Sequence, residues 1–242
     1  MKEEKEWFKN WFDTPFYHVL YDYRNEEEAR FFMRNLISFL NLEPGNKILD
    51  LPCGKGRHAV FLNEEGFKIT GADLSANSIQ FAKRFENPDL KFVIHDMRES
   101  MPHQYHAILN LFTSFGYFND EETNIKVLEN FKNSLLENGH LVIDFLNLKK
   151  VISELVPYEH FTKRGIEFTI RKKVTEKYVI KEIQVDFDGE SKAYIEKVQA
   201  IDLHKMKTFA EKAGLKILHV FGDHSLNAYD ENKSDRLIMI LQ

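Results

Sequence analysis

Apolar positions along the chain fall into two rhythms, one with a period near 3.6 residues and one of short β-branched runs. From about Glu26 onward the two alternate. This alternation predicts βα units around a parallel sheet. Phe32, Leu36, Phe39 and Leu40 recur at helical spacing until Pro44-Gly45 stops the run. Lys47 to Leu51 reads as a first strand, Pro52 to Gly56 as a turn, and Arg57 to Glu65 as a helix ended by Gly66. FKITGAD predicts a second strand, Ser75 caps a helix through Ile79, Ala82 and Phe85, and LKFVIHD predicts a third strand. AILNLF follows as the fourth. Asp120 then opens a helix with Ile125, Leu128, Phe131 and Leu135 on one face, closed by Asn138-Gly139, and HLVIDFL is the fifth strand.

The rhythm changes between Pro157 and Ala200. IEFTIRKKVT, YVIKEIQVDF and AYIEKVQA alternate two-sidedly and are separated by polar turns at Glu176-Lys177 and Asp188-Gly189. They predict an antiparallel insertion. Asp202 next caps a helix carrying Leu203, Met206, Phe209 and Ala210, which ends at Gly214. KILHVF and RLIMIL supply two last strands, which brings the main sheet to seven.

With 242 residues, the chain is expected to be a single domain containing this insertion. The lone Cys53 excludes an intramolecular disulfide and is too little for a structural zinc site, which makes the cytoplasm the default compartment. The opening MKEEKEWFKNWF lacks an apolar core of signal type, and no apolar run approaches a membrane span. A net charge of −5 argues against nucleic acid as partner. His103 and His106 lie close together without completing a metal set, so no metal site is expected.

Candidate chemistry concentrates at Ile48-Leu49-Asp50-Leu51-Pro52-Cys53-Gly54-Lys55-Gly56-Arg57-His58-Ala59, where a strand enters a glycine turn and then a helix. Glycines 54 and 56 allow close approach of a ligand, and the helix N-terminus offers free N–H groups. Asp73 ends the second strand 17 residues beyond Gly56, where a carboxylate can take the hydroxyls of a ribose. Asp96 ends the third, where it could accept from an exocyclic amine while Met97 donates from its amide. Each acid alone is an ordinary turn or helix cap. Together they lie on consecutive strand ends, the edge at which open α/β sheets bind ligands.

These residues resemble the class I S-adenosylmethionine-dependent methyltransferases, small-molecule type, over residues 26 to 150 in particular. The resemblance implies a Rossmann-like, seven-stranded, mostly parallel α/β sheet with helices on both faces. It implies S-adenosylmethionine as cofactor, held around Tyr21, Asp50, Pro52, Cys53, Gly54, Gly56, Arg57, Asp73, Leu74, Asp96, Met97, Asn110, Leu111 and Phe112. Pro52 stands where the usual acid-x-Gly-x-Gly-x-Gly run has its first glycine. The implied reaction is in-line methyl transfer to nitrogen or oxygen of a small-molecule acceptor. No Asn/Asp-Pro-Pro-aromatic tetrapeptide follows the fourth strand. Its place is taken by the aromatic Phe112-Thr113-Ser114-Phe115-Gly116-Tyr117-Phe118.

The acceptor is expected between an N-terminal lid, residues 1–24, and a substrate-covering insertion, residues 157–200. Tyr17, Phe115, Tyr117 and Arg171 are its candidate contacts, and His18 and Tyr117 the candidates for a catalytic role. A homodimer stays open. Two other readings compete. Gly54 to Ala59 also satisfies the G-x-G-x-x-A of a nicotinamide-dependent oxidoreductase, with Tyr229 and Lys233 as a Tyr-x-x-x-Lys pair. A binding module that keeps the cofactor without transfer would account for Pro52.

Overall fold

The computed structural model describes residues 6–22 and 26–242, so Tyr23 and Arg24 of the expected lid, with its first five residues, lie outside the described residues. Two short helices, α1 (Trp7–Trp11) and α2 (Pro15–Leu20), precede α3 (Glu26–Phe39). Thr14 caps α2 by accepting from the Tyr17 amide, with Pro15 at the first helical position.

The core alternates β1 (Lys47–Asp50), α4 (Arg57–Glu64), β2 (Lys68–Asp73), α5 (Ala76–Ala82), β3 (Leu90–Ile94), β4 (Tyr105–Asn110), α6 (Glu121–Asn133) and β5 (Leu135–Leu146). After α7 (Leu148–Ser153) come four antiparallel strands, β6 (Tyr158–Lys163), β7 (Ile166–Val174), β8 (Tyr178–Phe187) and β9 (Glu190–Gln199). The chain ends with α8 (Leu203–Lys212), β10 (Ile217–Phe221) and β11 (Arg236–Leu241).

The seven-stranded sheet has the order β10-β11-β5-β4-β1-β2-β3, with β11 antiparallel to both neighbours and the other pairs parallel. Alternate strand residues feed two cores, one on each face. Leu49, Ile108, Leu141 and Ile143 meet Leu128 and Phe131 of α6 and Met206 and Phe209 of α8. Ile48, Ala107, Leu109 and Val142 meet Phe32 and Leu36 of α3, Phe61 and Leu62 of α4, and Ile79 of α5. The near-continuous burial of β1, β4 and β5 is what a sheet covered on both faces requires.

Two expectations are corrected. Leu135 does not continue α6: Ser134 closes that helix, its hydroxyl donating to the Asn130 carbonyl, and Leu135 begins β5 opposite Tyr105. The register then shifts before Ala107 pairs with His140, because Asn138 takes a left-handed conformation, φ 64°, inside the strand. The insertion also has four strands where the alternation predicts three. Tyr158–Lys163 pairs along β7 although its own residues are mostly polar.

Candidate active site

The carboxyl ends of β1, β2, β3 and β4 open on to a cavity of about 550 Å³, roofed by α1, α2 and the second sheet. Strand order reverses between β1 and β4, and a crevice forms at such a switch point. Pro52, Cys53, Gly54, Arg57, Asp73, Leu74, Asp96, Met97, Leu111 and Phe112 all line it, as do Tyr17, His18, Tyr21 and Tyr117.

At the β2 end, both oxygens of Asp73 are anchored from the protein side. The amides of Gly54 and Ser75 donate to them at 2.8 Å each. A carboxylate offers about four acceptor positions, so each oxygen retains capacity for a ligand hydroxyl. Burial pushes this carboxyl up, against the opposing pull of those amides. The two glycines have different duties. Gly54, φ +54°, has open space where a Cβ would stand and lines the cavity. Gly56, φ +86°, has the Phe92 ring 2.7 Å from that position and lies off the cavity, so its need for glycine comes from packing and backbone conformation.

Asp50 is buried to 1% exposure and does not line the cavity. Burial, then the charge of Asp73, pushes its carboxyl up to about 8; Arg57 and the Ala59 amide at the start of α4 offset only part of this. A value near 8 leaves it mainly protonated at neutral pH. Asn110 is also off the cavity: its Nδ2 donates to the Leu51 carbonyl at 2.9 Å, latching β4 to the glycine turn. Asp96 lines the cavity, but its carboxylate grips Arg98, whose Nε lies 3.0 Å from each oxygen. Arg98 outweighs burial and holds Asp96 below the usual carboxylate range.

The loop after β4 is strained at Phe112 and Thr113, with φ 57° and 62° in consecutive non-glycine residues. Asp144 holds it. Its carboxylate accepts from the Phe112 amide at 2.9 Å, its carbonyl accepts from the Thr113 amide at 2.8 Å, and Arg236 donates to the Thr113 hydroxyl at 3.0 Å. Phe112 then stacks on His58, with Arg57 over its ring at 5.2 Å.

The opposite half of the cavity is aromatic and charged. Tyr117 packs on Trp7 and Phe8, with centroids at 5.1 and 6.0 Å, while Phe115 of the same loop turns into the core and does not line the cavity. His18 is half-buried, and burial followed by the nearby Lys55 pulls its imidazole down to about 4. Glu196 of β9 accepts from Trp11 Nε1 at 2.7 Å and from the Tyr21 hydroxyl at 2.8 Å, and pairs with Lys181 at 3.1 Å. Tyr21, expected as a cofactor contact, thus lines the cavity beside Glu196 and Lys181. Arg171 is exposed and rests over Tyr158, because the pleat of β7 turns its neighbour Lys172 to the cavity instead.

Sequence reasoning weighs Lys172 only within the basic run Arg171-Lys172-Lys173 and misses Lys181, Glu196, Arg98 and Asp144. The insertion's alternation contains a signal for Lys181 and Glu196, but not the pairing register. The N-terminal segment is tied to the ends of two strands: after β2, Asp13 accepts from the Ser75 hydroxyl and from Asn77 Nδ2 at 2.6 Å, and after β3, Glu6 accepts from Arg98 at 2.8 Å. Tyr229 donates to Asn147 and Lys233 is exposed; neither lines the cavity, so the oxidoreductase pair is not assembled.

Residues 42–213 match the family model for a methyltransferase domain. Among curated relatives, the chain is 30% identical over 125 residues to the putative methyltransferase YqeM of Bacillus subtilis, covering 50% of each protein. It is 30% identical over 146 residues to the glycine/sarcosine N-methyltransferase of Aphanothece halophytica, 57% of this chain and 52% of that one. The match spans about half the length of these relatives. In fold, it is similar to an S-adenosylmethionine-dependent methyltransferase from Clostridium acetobutylicum, with a TM-score of 0.79 at 19% identity over 94% of this chain and 96% of that one. The sheet order, the glycine turn with Asp73 beyond it and these matches agree, and the chain belongs to the class I S-adenosylmethionine-dependent methyltransferase family.

Proposed function

We propose that the protein transfers a methyl group from S-adenosylmethionine to an amine of a small-molecule acceptor. The observation that carries this reading is a single cavity with two chemically distinct ends. One has the Asp73 carboxylate fixed by two backbone amides; the other has aromatic rings and the Lys181–Glu196 pair. The first end fits the cofactor: Asp73 keeps acceptor capacity for a ribose, and Gly54 leaves open space beside the backbone. When bound there, S-adenosylmethionine supplies an activated methyl for in-line displacement.

The chain's own part is to orient and to exclude water. Trp7, Phe8, Tyr17 and Tyr117 wall the site with apolar surface, and Phe112 is held rigidly by Asp144. His18, at about 4, is too weak a base to draw a proton from a hydroxyl with useful driving force. An amine that arrives neutral needs no such base, which supports nitrogen over oxygen as the acceptor atom. The glycine/sarcosine enzyme among its relatives acts, by its name, on a small amine.

We read residues 1–24 as a lid and 157–200 as the acceptor-covering insertion of one domain. Among the described residues no helix is long and apolar enough to cross a membrane. A cytoplasmic setting and a small-molecule partner in preference to nucleic acid are supported by the single buried Cys53 and the net charge of −5. Calorimetry with S-adenosylmethionine and its demethylated product tests the cofactor. Saturable binding, weakened at least tenfold in Asp73→Ala, is expected; no binding at millimolar concentration overturns the proposal. Transfer of radiolabelled methyl to a metabolite extract then tests the reaction, and a protein that binds cofactor but labels nothing is a binding module.

A further inference from the structure

The cavity-facing side of the second sheet carries a row of charges set by strand register. Lys172 of β7 stands directly opposite Lys181 of β8, and Lys181 directly opposite Glu196 of β9. Directly opposed residues of antiparallel strands project from the same face, and all three line the cavity. Like charges placed opposite one another destabilise a sheet, and here neither ammonium is fully in water: the side chains of Lys172 and Lys181 are 27% and 25% exposed.

Among the described residues, acidic partners stand only at the outer ends of the row. Lys172 pairs with Glu159, and Lys181 with Glu196 at 3.1 Å. Glu196 is further engaged by Trp11 and Tyr21, so it is fixed at the row's edge. An ammonium has three N–H donors. Among the described residues, Lys172 meets Glu159 alone and Lys181 meets Tyr21 and Glu196, which leaves donors on both at the centre. The flanking cations behave differently. Arg171 lies over Tyr158 and Lys173 pairs with Glu182 at 2.8 Å, both exposed and off the cavity. Out of one basic run, the pleat sends a single lysine inward to meet a second from the next strand.

Resting on the methyltransferase reading, we propose that Lys172 and Lys181 together bind an anionic group of the acceptor, a carboxylate or a phosphate. The opposed ammonium pair is then relieved by its ligand. Anchoring through a group remote from the reacting nitrogen orients that nitrogen without competing for it.

The test uses the full chain without methyl donor. Lysine Cε positions are labelled by incorporating 13C-lysine, which leaves the ammonium N–H groups intact, and assigned with Lys172→Arg and Lys181→Arg. The protein is titrated with acetate and with inorganic phosphate at constant ionic strength. Both lysine signals are expected to shift saturably, with half-saturation in the low millimolar range, while exposed Lys68 and Lys126 do not. The anion that saturates first identifies carboxylate or phosphate. Lys181→Met should abolish the response at Lys172, and Lys181→Arg should retain it and control for folding. If Lys172 and Lys181 drift linearly with the exposed lysines, or Lys172 still saturates in Lys181→Met, the proposal is overturned. Because no donor is present, its failure is separate from failure of cofactor binding by calorimetry.

Discussion

Asp144 of β5 and Arg236 of β11 form an ion pair, Nε to Oδ1 2.7 Å, that fastens the strained loop of Phe112 and Thr113 to the end of the sheet. Asp144 is wholly buried. Burial alone would raise its carboxyl, but Arg236, with His224 nearby, outweighs it and brings the value to about 2. The pair therefore links the fold's stability to the shape of the cavity wall.

Removing Arg236 leaves a buried charge without its partner. Arg236→Met is expected to destabilise the chain by about 3 kcal/mol, the low end for breaking a buried pair because Arg236 keeps some exposure. Urea denaturation at pH 7 measures it. In the wild type the folded carboxyl titrates near 2 and the unfolded one near 3.8. The contribution is thus complete above pH 4 and fades as pH falls toward 2, by about 2 kcal/mol in all. Arg236→Met should lack this acid-side loss.

Asp50 predicts the opposite sign. Its folded value of about 8 exceeds the unfolded 3.8, so the folded chain holds a proton that the unfolded chain releases. Stability of the cofactor-free protein should decline as pH rises from 4 through 8. Asp50→Asn, which imitates the protonated acid, should flatten that decline. Urea midpoints at pH 5, 7 and 8.5 in both proteins decide it, and parallel slopes would count against the assignment.

Gly56→Ala and Gly54→Ala should separate stability from binding. At Gly56 the new Cβ meets Phe92 in a left-handed backbone, an expected loss of about 1–3 kcal/mol in thermal or chemical unfolding. At Gly54 nothing stands within 4 Å, so the methyl projects into open space beside the cavity. Some backbone strain remains, but the main expected effect is weaker S-adenosylmethionine binding by calorimetry.

Asp13 ties the N-terminal segment to Ser75 and Asn77 at the start of α5, beside Asp73. Asp13→Ala removes charge-assisted hydrogen bonds at a partly exposed site, worth about 1–2 kcal/mol. Dissociation of the cofactor product, followed by stopped-flow fluorescence of Trp7 and Trp11, should accelerate about tenfold. An unchanged rate would mean that this segment does not gate the site.

Much of this molecule was legible from local pattern. Helical periodicity from Glu26 and from Asp120, apolar strand runs at 47–51 and 140–146, and caps at Ser75, Asp120 and Asp202 are properties of neighbouring residues, and each element formed, although the helix from Asp120 stops before Leu135. The Gly54 turn and Asp73 were readable for the same reason, since a strand end and the next helix start lie within a few residues. What local pattern could not supply is pairing between distant strands. Arg171 looked as eligible as Lys172 until the pleat and register of β7 turned one outward and the other toward Lys181. Asp50 and Asn110 carry the expected residue types, yet close packing of β1 against β4 and α4 seals them from the cavity. The sequence by itself determined the elements and the nucleotide-type edge, because those depend on short-range propensity and capping. The tertiary structure alone decided which charges meet, because register, burial and the Asp144–Arg236 pairing join residues far apart along the chain.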